Sequence, residues 1–469
     1  MSPSAPDSLP AKAAPVPLAR LPFGVIATYC LPTIGCGFMF LLVTLYLMKF
    51  STDVLGISPA AMGVIFGISR FWDAVSDPLV GYWSDRTRHA MGRRRPWILV
   101  SALPISLVYL MVWSPPSGVS SLALVIWMGV GVLGFYSAMT GFVVPHLSLG
   151  AELTVDYHDR NRIFGIRHIS WTLGSVLALG GMAVLIDAES RSADAARAAT
   201  SELALGVAIV TAGMLAFTAF RVKERPDFQG RGPGRPYAAF ADVWRNPHAR
   251  LLLIVTLVEN LGAATIGVLA LYVSDYIIGE PALAPLFILA YMATSILSVP
   301  LWIPVSRAIG KKRLWTFSMI LTAFSFGAMF FLGEGDIVMI LGLSAVAGLA
   351  AGAGGTVGPS IQADVIDYDE YRTGQRKEGA YFAAWNFVFK ASAGVTLILT
   401  GFVLEFSGFV PRAEQTEEVK LALRSLFAIY PFVCYLIGAF LISRFSLNEG
   451  EYRLIRAELD RRAQAGVES

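Results

Sequence analysis

Charge is scarce in this sequence. Lys, Arg, Asp and Glu supply 15% of the 469 residues, against roughly 25% in an average soluble domain. Hydrophobic residues make up 55% and the mean hydropathy is +0.60, so a water-soluble surface cannot be assembled from what remains. Cysteine is scarcer still. Cys30, Cys36 and Cys434 all lie in apolar runs, with no CxxC pair and no His/Cys ligand spacing. That argues against a disulfide framework or a structural zinc. No Gly-x-x-x-x-Gly-Lys-Ser/Thr loop occurs, so nucleotide-driven chemistry lacks its phosphate cradle. No Ser/His/Asp or metal-ligand constellation is visible, so neither enzyme activity nor a cofactor is expected. The net charge of +3 comes without a basic tract interleaved with aromatics, which leaves nucleic acid a poor partner.

Long apolar runs are what the sequence does have. Crossing about 30 Å of hydrocarbon takes roughly 20 helical residues. Twelve runs approach or exceed that length, near 22–49, 60–83, 97–113, 121–149, 163–186, 202–222, 251–277, 284–307, 313–333, 336–360, 379–404 and 425–445. Backbone groups in lipid must be satisfied within their own segment, which requires helix; a barrel would show short alternating segments. The expected fold class is therefore an all-α membrane protein of 12 transmembrane helices in two six-helix halves. Residues 1–21, rich in Pro, Ala and Ser, read as a disordered tail. The first apolar run is too long for a signal-peptide core and is expected to remain as a span. The halves are expected at 22–222 and 251–446, joined by a charged, Pro-containing linker at 223–250 and followed by a tail at 447–469.

Orientation follows from Lys and Arg. With both termini cytoplasmic, 29 of the 37 basic residues flank the inner ends of the runs and six fall in outer loops. The positive-inside rule predicts that asymmetry. Shifting the assignment by one helix would place the Arg-rich segment 86–95 outside. The chain also repeats itself. Gly92-Arg93-Arg94-Arg95-Pro96-Trp97 follows the second run, and Gly310-Lys311-Lys312-Arg313-Leu314-Trp315 follows the eighth. Ala151-Glu152, Asp156-Tyr157 and Arg160 follow the fourth run; Ala363-Asp364, Asp367-Tyr368 and Arg372 follow the tenth. Two matches in register, half a chain apart, are the mark of six-helix halves related by an axis along the membrane normal.

Ionisable residues inside a span cost about 2.5–3.5 kcal/mol each on insertion scales and so point to function. The second run holds Arg70, Asp73 and Asp77. Spacings of three and four put them on one helix face. Two carboxylates about 6 Å apart along the axis cannot both stay ionised without a counter-charge. A proton, a bound metal cation or a fixed basic residue would each serve; the first two make the protein cation-coupled, and the third makes Arg70 a folding partner. Lys390, mid-way along the eleventh run, needs a carboxylate, and the Asp pair in the other half is the obvious one. The alternative is a lysine that snorkels to an interface. In the fifth run, Arg162 and Arg167 precede His168 and Trp171. Arg167 is placed equally well at the inner edge or in the cavity, and His168 reads as a satisfied polar residue. Tyr381, Trp385 and Asn386 precede Lys390 by a turn or more; Trp385 is shaped to stack on a sugar ring, although aromatics in membrane helices more often pack. Glu259 and Asn260 in the seventh run lie a few residues in from the cytoplasmic side, where a surface position is open to either.

The segment Trp72-Asp73-Ala74-Val75-Ser76-Asp77-Pro78, followed by Gly81 to Trp97 ending in Gly-Arg-Arg-Arg-Pro-Trp, closely resembles the glycoside–pentoside–hexuronide:cation symporters of the major facilitator superfamily. Asp364-Val365-Ile366-Asp367-Tyr368-Asp369-Glu370-Tyr371, Arg376, Glu378 and Lys390 resemble that family's second signature, and the similarity spans nearly the whole chain. The resemblance implies that Asp73 and Asp77 hold the driving cation, that Lys390 lies beside them, and that Arg167 lies near the substrate. It implies that Asp85, Arg86, Arg93, Arg94, Glu152, Asp364, Arg376 and Glu378 join the halves on the inner side when the cavity faces out. It also implies a small-molecule substrate, sodium or a proton as coupling ion, no cofactor, and a home in the bacterial cytoplasmic membrane; a monomer is expected.

The sequence departs from melibiose permease in three places. Residues 22–50 and 121–149 contain no Asp or Glu, and 348–358 is Gly- and Ala-rich with no Trp. The expected function is cation-coupled symport of a sugar, glycoside or uronate. Transport of an amphipathic substrate such as a lysolipid or steroid conjugate is the alternative, and a non-transporting sensor is a third reading.

Overall fold

A computed structural model describes residues 21–154, 157–224, 240–374, 378–447 and 449–465. The linker segment 225–239, the expected N-terminal tail up to residue 20, Asp156 and Arg376 lie outside the described residues. Helices carry nearly everything else, as apolar segments in lipid require. They are α1 (Phe23–Leu45), α2 (Pro59–Arg86), α3 (Arg95–Trp113), α4 (Ser121–Glu152), α5 (Tyr157–Arg191) and α6 (Ala193–Arg221). There follow α7 (Pro247–Val273), α8 (Pro281–Leu297 and Val299–Ile309), α9 (Lys311–Ala328), α10 (Ile337–Thr373), α11 (Glu378–Phe406), α12 (Glu417–Ser443) and α13 (Glu449–Ala465).

Local chemistry sets the starts of these helices. Ser58 and Ser120 accept from the amides of Ala61 and Ala123, at 3.2 Å and 3.3 Å, and Asn246 accepts from His248 at 3.0 Å. Each supplies an oxygen to an otherwise orphaned helix N–H. Pro59 and Pro247 follow directly, at positions that need no N–H. At the start of α3 the carboxylate of Glu224 accepts from the backbone amides of Arg93, Arg94 and Arg95, at 2.7–2.8 Å, which suits the positive end of a helix dipole.

Ten of these helices are long and apolar enough to cross a membrane, and α8 makes an eleventh if its two arms form one span. The arms meet at 50°. Pro300 explains the break, because it lacks the N–H that would bond back one turn and its ring crowds the preceding carbonyl. α2 has 28 residues, enough for about 42 Å of helix, and carries Arg70, Asp73 and Asp77 within that length. The third run, short on paper, forms 19 helical residues, or about 28 Å. The sixth helix begins at Ala193, nine residues before the apolar run does.

The helices pack in two sets with one pattern. α1 packs on α5 and α6, α3 on α4 and α6, and α2 on α4. Raising every number by six gives the pairings of the second set: α7 on α11 and α12, α9 on α10 and α12, α8 on α10. The main bridge between the sets is α2 against α11. Glycines allow it: a Cβ on Gly63 would come 2.7 Å from the Leu397 carbonyl, and one on Gly401 would come 2.4 Å from that of Pro59.

The segment 447–469, expected as a tail, is mostly helix. α13 packs on the end of α10, where Tyr452 donates to Asp367 at 3.0 Å and Arg456 lies 3.7 Å from the same carboxylate. Burial and the neighbouring Asp367 push the Tyr452 phenol up to about 12, so it remains a donor at neutral pH.

Candidate functional site

The carboxylates of α2 define the middle of the molecule. Asp73 lies 13 residues from the Arg86 end of α2, and Lys390 lies 12 residues from the start of α11. At 1.5 Å per residue both are roughly 18–20 Å deep. The glycine seam brings them together. Lys390 Nζ is 2.8 Å from Asp73 Oδ2 and 2.5 Å from Asp77 Oδ2. From the other side, Thr140 of α4 donates 2.7 Å to Asp73 Oδ1 and lies 3.1 Å from Asp77 Oδ1. Asp73 is 4% exposed, while Asp77 keeps about a third of its side-chain exposure. Two carboxylates, one ammonium and one hydroxyl thus share one small volume, with a formal charge of minus one.

Arg70 does not join them. Its guanidinium lies 4.4 Å from the Tyr136 ring centroid and 5.6 Å from that of Phe40, a cation–π cradle, and its Nε has no hydrogen-bond partner. Of the two basic residues that could balance the pair, the one in the distant helix does so.

The expected substrate residues divide. Trp385 and Asn386 line a cavity of about 440 Å³ within the second set, between α7, α9, α10 and α11. Glu259 and Asn260 line it too. Glu259 is 12 residues into α7, so it is mid-depth and not at the surface. Tyr381 is fully buried beneath the cavity wall and accepts from Asn246 Nδ2 at 2.9 Å. Arg167 is on the opposite side, in α5, within electrostatic reach of Tyr29 and Cys30 of α1 and His146 of α4.

The inner-end charges pair within each set. Arg93 Nη2 is 2.7 Å from Glu152 Oε1, and Arg94 bonds Asp85 and lies 3.2 Å from Glu152. Lys311 is 2.6 Å from Asp364. The two repeated motifs therefore meet each other in both sets: basic loop to acidic helix end. Arg86 stacks on Tyr82 at 3.5 Å from the ring centroid. Glu378 opens α11, and its side chain lies outside the description, as does Arg376.

One cluster was hidden in the sequence. At the opposite end, Lys49 is 2% exposed and lies 2.6 Å from Asp53, 3.1 Å from Glu189 and 2.6 Å from Asp275. Asp275 belongs to the second set, so this group crosses between sets. Tyr276 donates 2.7 Å to Asp53, and the hydroxyls of Thr52 and Tyr272 meet at 2.8 Å. Single π-helical turns at Phe50–Val54 and Ser274–Ile278 carry Asp53 and Asp275. They occupy equivalent places after α1 and α7, where a local bulge re-aims side chains.

Comparison with known proteins identifies the family. The model of the MFS/sugar transport protein family matches residues 28–449. The inner membrane symporter YicJ of Escherichia coli (strain K12) is 27% identical over 89% of this chain and 90% of its own. The glucuronide carrier protein homolog of the same organism is 24% identical over 94% of this chain and 96% of its own. Among solved structures, that of a D-xylose-proton symporter superposes with a TM-score of 0.64 at 14% identity, covering 91% of this chain and 98% of its own; at that identity the likeness concerns the fold. The match of nine-tenths of the chain places it: this is an integral membrane protein of the MFS/sugar transport family, in the glycoside–pentoside–hexuronide:cation symporter branch of the major facilitator superfamily.

Proposed function

We propose that the chain is a secondary symporter that moves a sugar or glycoside together with a cation by alternating access. The observation behind this reading is Lys390 Nζ poised between Asp73 and Asp77, at 2.8 Å and 2.5 Å. Two carboxylates against one ammonium leave a single negative charge in a low-dielectric span. One cation, sodium or a proton, completes the balance. Asp73, Asp77 and Thr140 offer its oxygen ligands, and Lys390 withdraws from one carboxylate as it enters. The sugar occupies the cavity beside Trp385 and Asn386; Arg167 belongs to the other helix set and does not line it. The carboxylate of Glu259 and the amides of Asn260, Gln362 and Asn386 on its wall favour a polyhydroxylated substrate over a lysolipid or steroid conjugate. No covalent bond changes in such a cycle, and no cofactor is required.

The Arg93 end faces the cytoplasm in this reading, with both termini, in a bacterial inner membrane, and the chain works as a monomer. The asymmetry of basic residues and the likeness to an inner membrane symporter support it. The conformation is then inward-facing. Lys49 seals the outer end across the sets, while the inner charges remain inside their own sets. Opening outward exchanges the two patterns: the Lys49 group separates, and Asp85, Arg93, Arg94, Glu152 and Asp364 find partners across the seam with Arg376 and Glu378.

The test is uptake by proteoliposomes under an imposed sodium or proton gradient. Asp73→Asn and Asp77→Asn should each lose concentrative uptake and retain part of the downhill exchange. Full accumulation by both variants refutes the cation site. A Cys at position 230 should react with an impermeant reagent only after permeabilisation; reaction in intact cells reverses the topology.

A further inference from the structure

The 440 Å³ cavity of the second set falls in the size range of small-ligand pockets, roughly 300–1,000 Å³. Among the described residues, the one charged side chain on its wall is Glu259. The Trp315 indole lies against that carboxylate without forming a well-aligned hydrogen bond. Trp315 and Trp385 border the cavity but are only 3% and 4% exposed, with their indole nitrogens buried. A carboxylate offers about four acceptor positions and the adjacent Trp315 indole can occupy only one, so the remainder ask for a polar ligand. Asn260, Gln362 and Asn386 add amides that both donate and accept. Gly355 and Gly358 keep the α10 wall low, and a Cβ on Gly355 would meet nothing within 4 Å.

We infer that this cavity seats the uncharged ring of a sugar, with Glu259 as the acceptor that selects neutral glycosides over uronates and other anionic sugars. The inference rests on the transport reading above and narrows its substrate. A carboxylate takes hydrogen bonds from two neighbouring ring hydroxyls, the amides of Asn260, Gln362 and Asn386 donate to hydroxyl oxygens, and the exposed rings of Phe382 and Phe389 cover the apolar side of the ring. A carboxylate or sulfonate on the sugar would sit beside Glu259 with no Lys or Arg on the wall to balance it. Two carboxylates in such a low-dielectric site cannot both stay ionised, so a second one beside Glu259 must be neutralised by a proton, a cost that a neutral ring avoids. Arg167 lies on the other side of the molecule and does not line this cavity.

The test uses the full-length protein in proteoliposomes and matched sugar pairs: methyl glycosides of glucose, galactose and mannose, with their 6-carboxylate counterparts. Ion-driven uptake and quenching of intrinsic tryptophan fluorescence are both read. The wild type should prefer the neutral member of its best pair by at least about tenfold. Glu259→Gln should weaken neutral binding by about 10- to 100-fold, the loss expected for hydrogen bonds to a charged acceptor, and should erase most of the preference. Gly355→Leu places a side chain in the empty space and should abolish binding while melting like the wild type. It therefore tests the location even if Glu259→Gln fails to fold. Equal uptake of a uronate and its neutral match overturns the inference and leaves the transport reading standing. So does an unchanged preference in Glu259→Gln, or normal binding by Gly355→Leu. Absence of uptake and of quenching for every pair overturns both.

Discussion

The two seams between the helix sets are related by the repeat and differ in build. The α2–α11 seam is tight: Gly63, Gly67, Gly394 and Gly401 bring backbones together, Ala60 N–H bonds Glu405 at 3.0 Å, and Lys390 locks the centre. The α5–α8 seam is sparse. Gly165 and Gly180 of α5 face open space, and α8 is bent by 50°. Without a hydrophobic drive between helices in lipid, close packing and buried polar bonds decide which contacts persist. Among the described residues, one seam has both, and the other has few contacts and no hydrogen bond between α5 and α8. Rocking of one set on the other should pivot about α2–α11 and change most at α5–α8.

Four substitutions sharpen or break that contrast. The largest effect is expected from Lys390→Ala. It leaves two carboxylates without their ammonium and should cost about 3–5 kcal/mol and coupled uptake at neutral pH. Adding Asp77→Asn should recover stability beyond the sum of the single changes, though not transport. A coupling energy of zero in a double-mutant cycle on thermal unfolding in detergent would detach the seam from its charges. Next comes Gly401→Leu, which drives a side chain into the Pro59 carbonyl and should cost about 1–3 kcal/mol or more; a wild-type melting curve would mean that the seam is loose. Lys49→Gln removes charge-assisted bonds across the far end. Reactivity of a Cys at Ile186, which is 5% exposed in this structure, with an impermeant reagent should rise by at least about tenfold as the outward-open state gains population. No change there would deny Lys49 a latching role. The smallest effect belongs to Gly180→Ala, which should leave uptake unchanged and add at most about 0.5–1 kcal/mol through helix propensity. A clear loss would place α5 in tight contact.

Much of this was legible in the sequence, and the rest failed for identifiable reasons. Run length sufficed for the spans, because lipid makes it nearly obligatory. Asp73, Asp77 and Lys390 stood out because charge in a span is expensive. Periodicity alone could not choose between Arg70 and Lys390 as the counter-charge, since that depends on which helix lies opposite. Thr140 was invisible because a hydroxyl costs little in an apolar run. Lys49 ended its run and passed for an outer-loop cation, whereas a short turn and a π-helical turn fold it back among three carboxylates. Glu259 looked marginal because α7 begins four residues before its apolar run. The inner charges matched the family motif, but a motif carries no information about which conformation pairs them.

The partners of the α2 carboxylates are separated in time as well as in space. Asp77 and Lys390 are 313 residues apart, and chains grow at about 5–20 residues per second. For roughly 15–60 s after α2 is made, its carboxylates have no lysine. Thr140 follows Asp77 by only 63 residues and arrives within roughly 3–13 s. The most polar span is thus inserted early and completed late, first by a hydroxyl from α4 and only near the end of synthesis by α11. Biogenesis of the first helix set is therefore finished by the second, and a nascent chain that stalls before α11 leaves its carboxylate pair unbalanced in the bilayer.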